Sequence, residues 1–316
     1  MTKIIILFIF LSFFSLAKVE ANEKQDYTIY HQQLIEAEHL LASENYGNAL
    51  LVYEQLFRDY DFVFLREYQI ATQLALYLND KQKAIKYLKQ GIILGWEMKS
   101  IKRNEYLAPL RKDEDWKSIK KEYANLNKQY ESKLNQKLRK QVKRMYSKDQ
   151  KKAFMALFRF GSKAQGRYAE RKFAPHSERQ MAKFSEILET YGYPGEKLIG
   201  NSTWMATILS HHNSISTAYN KKDTLYPELR PKLEDDLKNG LISPYELALI
   251  DDWYLTVKYD RKIPTYGILD PPSQSNMPKT NELREIIYAR PYELRDALVD
   301  IKKKTGMNLY LSDRWY

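Results

Sequence analysis

The sequence predicts a mostly α-helical protein, a short helical-repeat module followed by a second all-α helical domain. Three observations carry that expectation. Apolar residues recur every three or four positions through most of the chain, and from Tyr27 to about Tyr130 there are no period-2 strand runs. A helix-turn-helix spacing near the N-terminus comes back 35 residues later, from Ala49 to Ala84. Capping residues punctuate the helical runs of the second half.

The first element reads as an address. Lys3 gives a positive start, Ile4 to Leu16 is an apolar run, and Val19-Glu20-Ala21 ends in a small residue, so residues 1–21 are expected to be a cleaved signal peptide. The apolar run falls short of the ~20 residues that span a bilayer. No other long apolar run follows, so no transmembrane helix is expected in the mature chain. The protein should be exported, periplasmic or extracellular. It has no Cys, which excludes a lipid-modified Cys, disulfides, and thiolate ligands or nucleophiles.

Residues 22–130 follow a helical pattern with few breakers. In EAEHLLASENYGNALLVYEQLF, Ala37, Leu40, Tyr46, Ala49, Tyr53 and Leu56 alternate small and aromatic residues at helix-pair spacing. Ala71, Ala75, Ala84, Leu88 and Gly91 repeat it. Small residues let paired helices approach, and aromatics fill the space beside them. This pattern resembles tetratricopeptide repeats, whose usual length is 34 residues. The run through Trp116 is similar to the closing helix pair of such arrays in exported bacterial proteins. The resemblance implies a concave face that engages a protein or peptide.

The net charge is +11 and is concentrated in one place. Residues 131–172 hold 14 lysines and arginines against 3 acidic residues, which accounts for the entire excess. An apolar stripe from Trp116 through Ile119, Tyr123, Leu126, Tyr130, Leu134, Leu138 and Val142 to Met145 predicts one long helix, with its basic faces in solvent. This basic helical connector is expected to link two domains. A contact with an anionic surface is the sharper alternative, and no nucleic-acid-binding motif accompanies it.

Residues 145–316 form the second helical domain, overlapping the connector, with helices expected at 150–160, 177–190, 202–219, 228–239, 244–259, 281–290 and 291–304. Ser243-Pro244-Tyr245-Glu246 is a capping box with Pro at the first helical position. Gly240 follows Lys238-Asn239 as a helix stop, and the Pro/Ser-rich stretch 270–280 reads as a loop.

Chemistry has one candidate location. His211 and His212 are two of only five histidines, and Trp204, Met205, Ile208, Leu209, His212, Ile215 and Tyr219 place His212 on an apolar helix face. Such a His is either structural, paired with a carbonyl or carboxylate, or a general base facing a cleft. Asp251 and Asp252 sit mid-helix, where Asp is a poor helix former. A His–Asp pair across two helices would fix the imidazole tautomer. The spacing of a His-Glu-x-x-His metal site, a Gly-x-Ser-x-Gly elbow and a phosphate loop are all missing. No metal or cofactor is therefore expected.

The order Tyr-Gly-Tyr-Pro, Gly200, the central His, Leu-Ala-Leu-Ile-Asp-Asp and Tyr266-Gly267 resembles the bacterial domain-of-unknown-function family 6624, over residues 145–316. The resemblance implies His212, with His211 as the other register, Asp252, with Asp251 as its alternate, and Tyr266 as candidate catalytic residues. Trp253, Pro264 and Ile268-Leu269 stand where the family has Arg, Gln and Thr-Gln. No activity is assigned to that family. The leading expectation is a protein- or peptide-binding or scaffolding role in the cell envelope. A hydrolase using His212, Asp252 and Tyr266 is the alternative, and attachment of residues 131–172 to an anionic surface a second one.

Overall fold

Two helical hairpins begin the fold, and their turns are built alike. Helices α1 (Tyr27–Ala42) and α2 (Tyr46–Asp59) form the first, and α3 (Leu65–Tyr77) and α4 (Lys81–Ile93) the second. Each turn places a non-glycine residue in the left-handed region, Glu44 at φ 62° and Asn79 at φ 61°, 35 positions apart. In both, the next N–H reaches back to the helix, from Asn45 to the Leu40 carbonyl at 2.8 Å and from Asp80 to that of Ala75 at 2.9 Å. Fully buried Ala37, Ala49, Ala71, Ala75 and Ala84 let the helices close, with Tyr53 and Tyr87 filling the gaps. The structure is a computed structural model that describes residues 25–112 and 114–311; the expected signal peptide lies outside them.

After α5 (Met98–Arg103) and α6 (Ala108–Arg111), helix α7 (Glu114–Lys133) lays Trp116, Ile119 and Leu126 over Leu88, Ile92 and Trp96, covering the open side of α4. The long helix expected from the apolar stripe is broken. Asn135 gives its N–H to the Leu198 carbonyl at 2.9 Å, and its side chain accepts from Leu138 N at 3.0 Å, starting α8 (Gln136–Phe154). A capping residue has overridden a continuous stripe. On α8 only Leu138, Val142, Met145 and Asp149 are buried, and the lysines and arginines occupy the other faces.

The helix expected at 150–160 stops at Phe154. The chain turns through 155–160 into α9 (Ser162–Tyr168), a π-helical turn, and α10 (Ala174–Tyr191). Short α11 (Glu196–Ile199) precedes α12 (Trp204–Asn213). The expected 202–219 helix breaks there, because Ser216 caps a separate α13 (Thr217–Asn220). Helices α14 (Leu225–Lys238) and α15 (Pro244–Lys258) follow, the latter capped as expected by Ser243, which accepts from Glu246 N at 3.2 Å. Pro278 begins α16 (Met277–Ile286) inside the expected loop, since the first turn of a helix needs no N–H from it. Helix α17 (Tyr292–Thr305) is last. Among the described residues there is no strand, and no helix is long and apolar enough to cross a membrane.

The C-terminus returns to the first hairpins. Leu294, Leu298 and Ile301 of α17, with Met307, Leu309 and Leu311, share one core with Ala37, Leu41, Ile70 and Leu74. The extended segment after Gly306 is held by its backbone. Gln73 donates to the Asn308 carbonyl and accepts the Asn308 N–H, both at 2.8 Å, and Arg66 donates to the Leu309 carbonyl at 3.2 Å. A second seam joins α1 to α14. Gly240, at φ +67°, lies so close to the Tyr27 ring that a Cβ there would stand 2.4 Å from it. The first hairpins and the C-terminal half are therefore packed as one body.

A candidate ligand chamber between the two halves

His212 is fully buried; its Nδ1 lies 2.9 Å from Ser177 Oγ of α10. Its Nε2 is 3.4 Å from Asp223 Oδ2, close enough for attraction but not aligned for a hydrogen bond. Asp223 also accepts from Leu225 N at 3.0 Å and Tyr226 N at 3.3 Å, at the start of α14. Burial alone would raise the Asp223 pKa, but His212 and these N–H groups hold it below its usual value. His212 thus pins α10, α12 and α14 together. Its neighbour His211 is half-buried and has the closer carboxylate, Asp149 of α8, at 2.5 Å.

Asp252 has other partners. Oδ1 accepts from Tyr266 N at 2.6 Å, and Oδ2 accepts from Ile268 N at 2.6 Å and Leu269 N at 2.9 Å. Burial raises its pKa, and the three N–H groups oppose the rise. The carbonyls of the same loop are held from the other side, Thr265 by Thr280 Oγ1 at 2.8 Å and Tyr266 by Arg284 Nε at 2.7 Å. Gly267, at φ +69°, lets the loop turn between these clamps. The expected His212–Asp252 pair does not form, because all of these oxygens and ring nitrogens face other groups. Asp252 and Tyr266 meet through a backbone N–H, not through side-chain chemistry. The Tyr266 phenol is buried beside Asp251 and Arg230, and burial with the Asp251 charge raises its pKa far above normal. Asp251 takes the Tyr226 hydroxyl and accepts Arg230 Nε on both oxygens at 2.8 Å. Ile268 and Leu269 each contribute a backbone N–H to Asp252.

The loop that Asp252 shapes is a wall of something larger. Gly267 and Ile268 line a 240 Å³ chamber between α1, α3, α15, α16 and α17. Its apolar lining includes Leu34, Ile35, Phe64, Ala248 and Leu311. Its charged and ionisable lining includes four arginines, Arg66, Arg284, Arg290 and Arg295, three glutamates, Glu38, Glu67 and Glu196, and His31, with hydroxyls from Ser243, Tyr245, Tyr288 and Tyr310. Glu38 serves two guanidiniums, Arg66 at 2.7 Å and Arg290 at 3.1 Å. Arg284 is 4 % exposed and donates only to the carbonyls of Tyr266 and Arg290. Burial and the nearby Arg290 bring its pKa down to about 10. Burial likewise lowers that of Arg290, against the pull of Glu38.

The glutamates do not balance these charges. Burial pushes Glu67 up to about 7 although Arg66 pulls the other way. Burial, with repulsion from Glu67 and Glu246, pushes Glu196 up to about 8. Near neutral pH both hold much of their proton, and the arginines are in excess. Three buried polar atoms of lining residues, His31 Nδ1, Arg66 Nε and Glu67 Oε2, have no protein hydrogen-bond partner. Sequence reasoning missed this group, yet a signal was present. Glu38 falls on the apolar stripe of α1 with Leu34, Ala37 and Leu41, and Glu67 on that of α3 with Ile70, Ala71 and Leu74. A charge at a core position of a helix needs a partner. Comparison of the chain with protein-family models, with curated proteins and with solved structures finds no match.

Proposed function

We propose that this is an exported binding protein, and that its ligand is a carboxylate carried on an apolar body, the chemistry of a peptide C-terminus ending in an apolar residue. The observation that carries the reading is the excess of guanidinium, fully buried at Arg284 and largely covered at the other three, over ionised carboxylate in a chamber whose remaining walls are mostly apolar side chains with a few hydroxyls. A buried cation without a full counter-charge is costly, and an incoming carboxylate supplies that charge with bidentate geometry. The volume exceeds the ~150 Å³ that holds a benzene ring, leaving room for a branched side chain and its carboxylate. The likeness of the first hairpins to tetratricopeptide repeats supports a peptide partner. The inner face of α3, however, is occupied by the chain's own segment Met307–Leu311, so the chamber beside that segment is the place for a ligand. The hydrolase alternative is less well supported, because His212 faces Ser177 and Asp223, Asp252 accepts three backbone N–H groups, and the Tyr266 phenol is buried beside Asp251 and Arg230.

The test is a calorimetric titration with a short peptide ending in leucine, as the free acid and as the carboxamide. The acid should bind at least about tenfold tighter, the size of one charge-assisted hydrogen bond. Equal affinity for acid and amide, or binding that survives filling the chamber with Ala248→Phe, would refute the assignment.

A further inference from the structure

Among the described residues, the densest run of exposed large apolar side chains lies at the turn between α8 and α9, none of it lining the chamber. Phe154, Met155, Leu157, Phe158 and Phe160 are 57, 39, 70, 55 and 93 % exposed within seven consecutive residues. The tip is firmly based. Ala153, Ala156 and Ala169 pack beneath it on Tyr168, Phe173 and Ile215, and Arg159 lies 5.3 Å over the Tyr168 ring. Gly161, at φ +85°, turns the chain back into α9. The large side chains therefore point outward because small ones take the inner positions. Around them stand exposed cations, Lys148, Lys151 and Lys152 on α8 and Lys163, Arg167 and Arg171 beyond the turn. The nearby acids are engaged, Asp149 buried on His211 and Glu170 on the Ser216 hydroxyl.

Contiguous exposed aromatics mark an interaction surface, and a surrounding ring of one charge states the partner's sign. We propose that the tip Phe154–Phe160 docks the protein on a bilayer surface rich in anionic lipid, its apolar side chains entering the headgroup boundary and the flanking lysines and arginines pairing with lipid phosphate. No described helix is long and apolar enough to cross a bilayer, so the attachment is interfacial. Both halves of the device are needed. Cations alone would give binding that salt abolishes, and a short apolar tip alone would discriminate little between lipid charges. The basic concentration seen in residues 131–172 thereby acquires a direction, since its cations near the tip share one end of the molecule with the apolar cluster.

The experiment is co-sedimentation of the chain from residue 22 onward, which carries every described residue, with vesicles of phosphatidylglycerol and phosphatidylcholine in about equal parts, and with phosphatidylcholine alone. The protein should pellet with the anionic vesicles only. Phe158→Ser with Phe160→Ser should weaken that binding by about tenfold or more with little change in Tm, because Phe160 is 93 % exposed and Phe158, 55 % exposed, meets only the exposed Phe154 among aromatic rings. Lys151→Glu with Lys152→Glu should weaken it as well, and the remaining binding should lose much of its salt dependence. Absence of vesicle binding, or binding unchanged by the tip variant, would overturn the proposal. So would a dimer seen by light scattering that the tip variant converts to monomer without any vesicle binding, since the tip would then join two copies of the chain.

Discussion

Replacing His212 with Ala separates the two roles a buried histidine can have. The side chain links α10, α12 and α14 through Ser177 and Asp223, so its loss leaves a cavity and two polar groups without their partner. The expected result is a fall in stability of about 2–4 kcal/mol by urea unfolding, with peptide affinity unchanged. Asp252→Asn should act differently. An amide cannot accept from Tyr266, Ile268 and Leu269 as two carboxylate oxygens do, so about 1–3 kcal/mol of stability should go. Because that loop is a chamber wall, peptide affinity should fall too. Glu196→Gln is expected to stabilise, with a definite pH dependence. The folded pKa is raised from 4.5 to about 8, so the folded state binds a proton that the unfolded state gives up between those values. The resulting penalty is absent at low pH, grows as pH rises, and is complete above about 8. Gln removes it, so the variant should melt near wild type at about pH 4 and well above it at about pH 9. A gain confined to acid pH would contradict the burial argument.

Among the elements, the segment Met307–Leu311 joins the halves of the molecule, and it does so by backbone recognition. Gln73→Leu removes the amide that satisfies both the N–H and the carbonyl of Asn308, and should cost about 2–3 kcal/mol. Leu309→Ala, at a site 1 % exposed, should cost about 2–4 kcal/mol through the cavity it leaves. If either variant melted in two steps while wild type melted in one, the halves would be separately stable, against the shared core. The helical class, the capping box at Ser243 and the small-residue spacing of the first hairpins were legible in the sequence because each rests on contacts between near neighbours in the chain. The breaks at Asn135 and at Ser214–Ser216 were not, because a continuous apolar stripe gives no sign of a carbonyl such as that of Leu198 drawing an N–H away. The candidate site was half legible. Asp252 and Tyr266-Gly267 do shape a wall of the chamber, but the residues facing its interior come from α1, α3 and the segment 284–295, far apart in sequence.

For the molecule as a whole, charge in the chamber is the quantity that decides ligand affinity. Arg284, even brought down to about 10, keeps its charge through the neutral range, Glu38 and Glu67 push the pKa of Arg66 up against burial, and burial holds His31 down to about 4, so it stays neutral there. Glu67, up to about 7, and Glu196, up to about 8, are the groups that change between slightly acid and slightly alkaline conditions, with Glu246, up to about 7, beside them. Each proton lost adds a negative charge next to the place where a carboxylate would sit. A peptide carboxylate, with its ordinary pKa of about 3.5, is ionised throughout, so the pH dependence of binding belongs to the protein. The decisive measurement is the affinity of the leucine-ended peptide acid at about pH 6 and about pH 8.5, on wild type and on the Glu67→Gln, Glu196→Gln double variant. Affinity should fall with rising pH in the wild type by about tenfold, one pKa unit's worth of interaction, and by much less in the variant, which keeps Glu246, outside the chamber lining, to titrate in that range. Wild-type affinity that is constant or rises with pH would contradict the arginine-excess chamber as the site of binding.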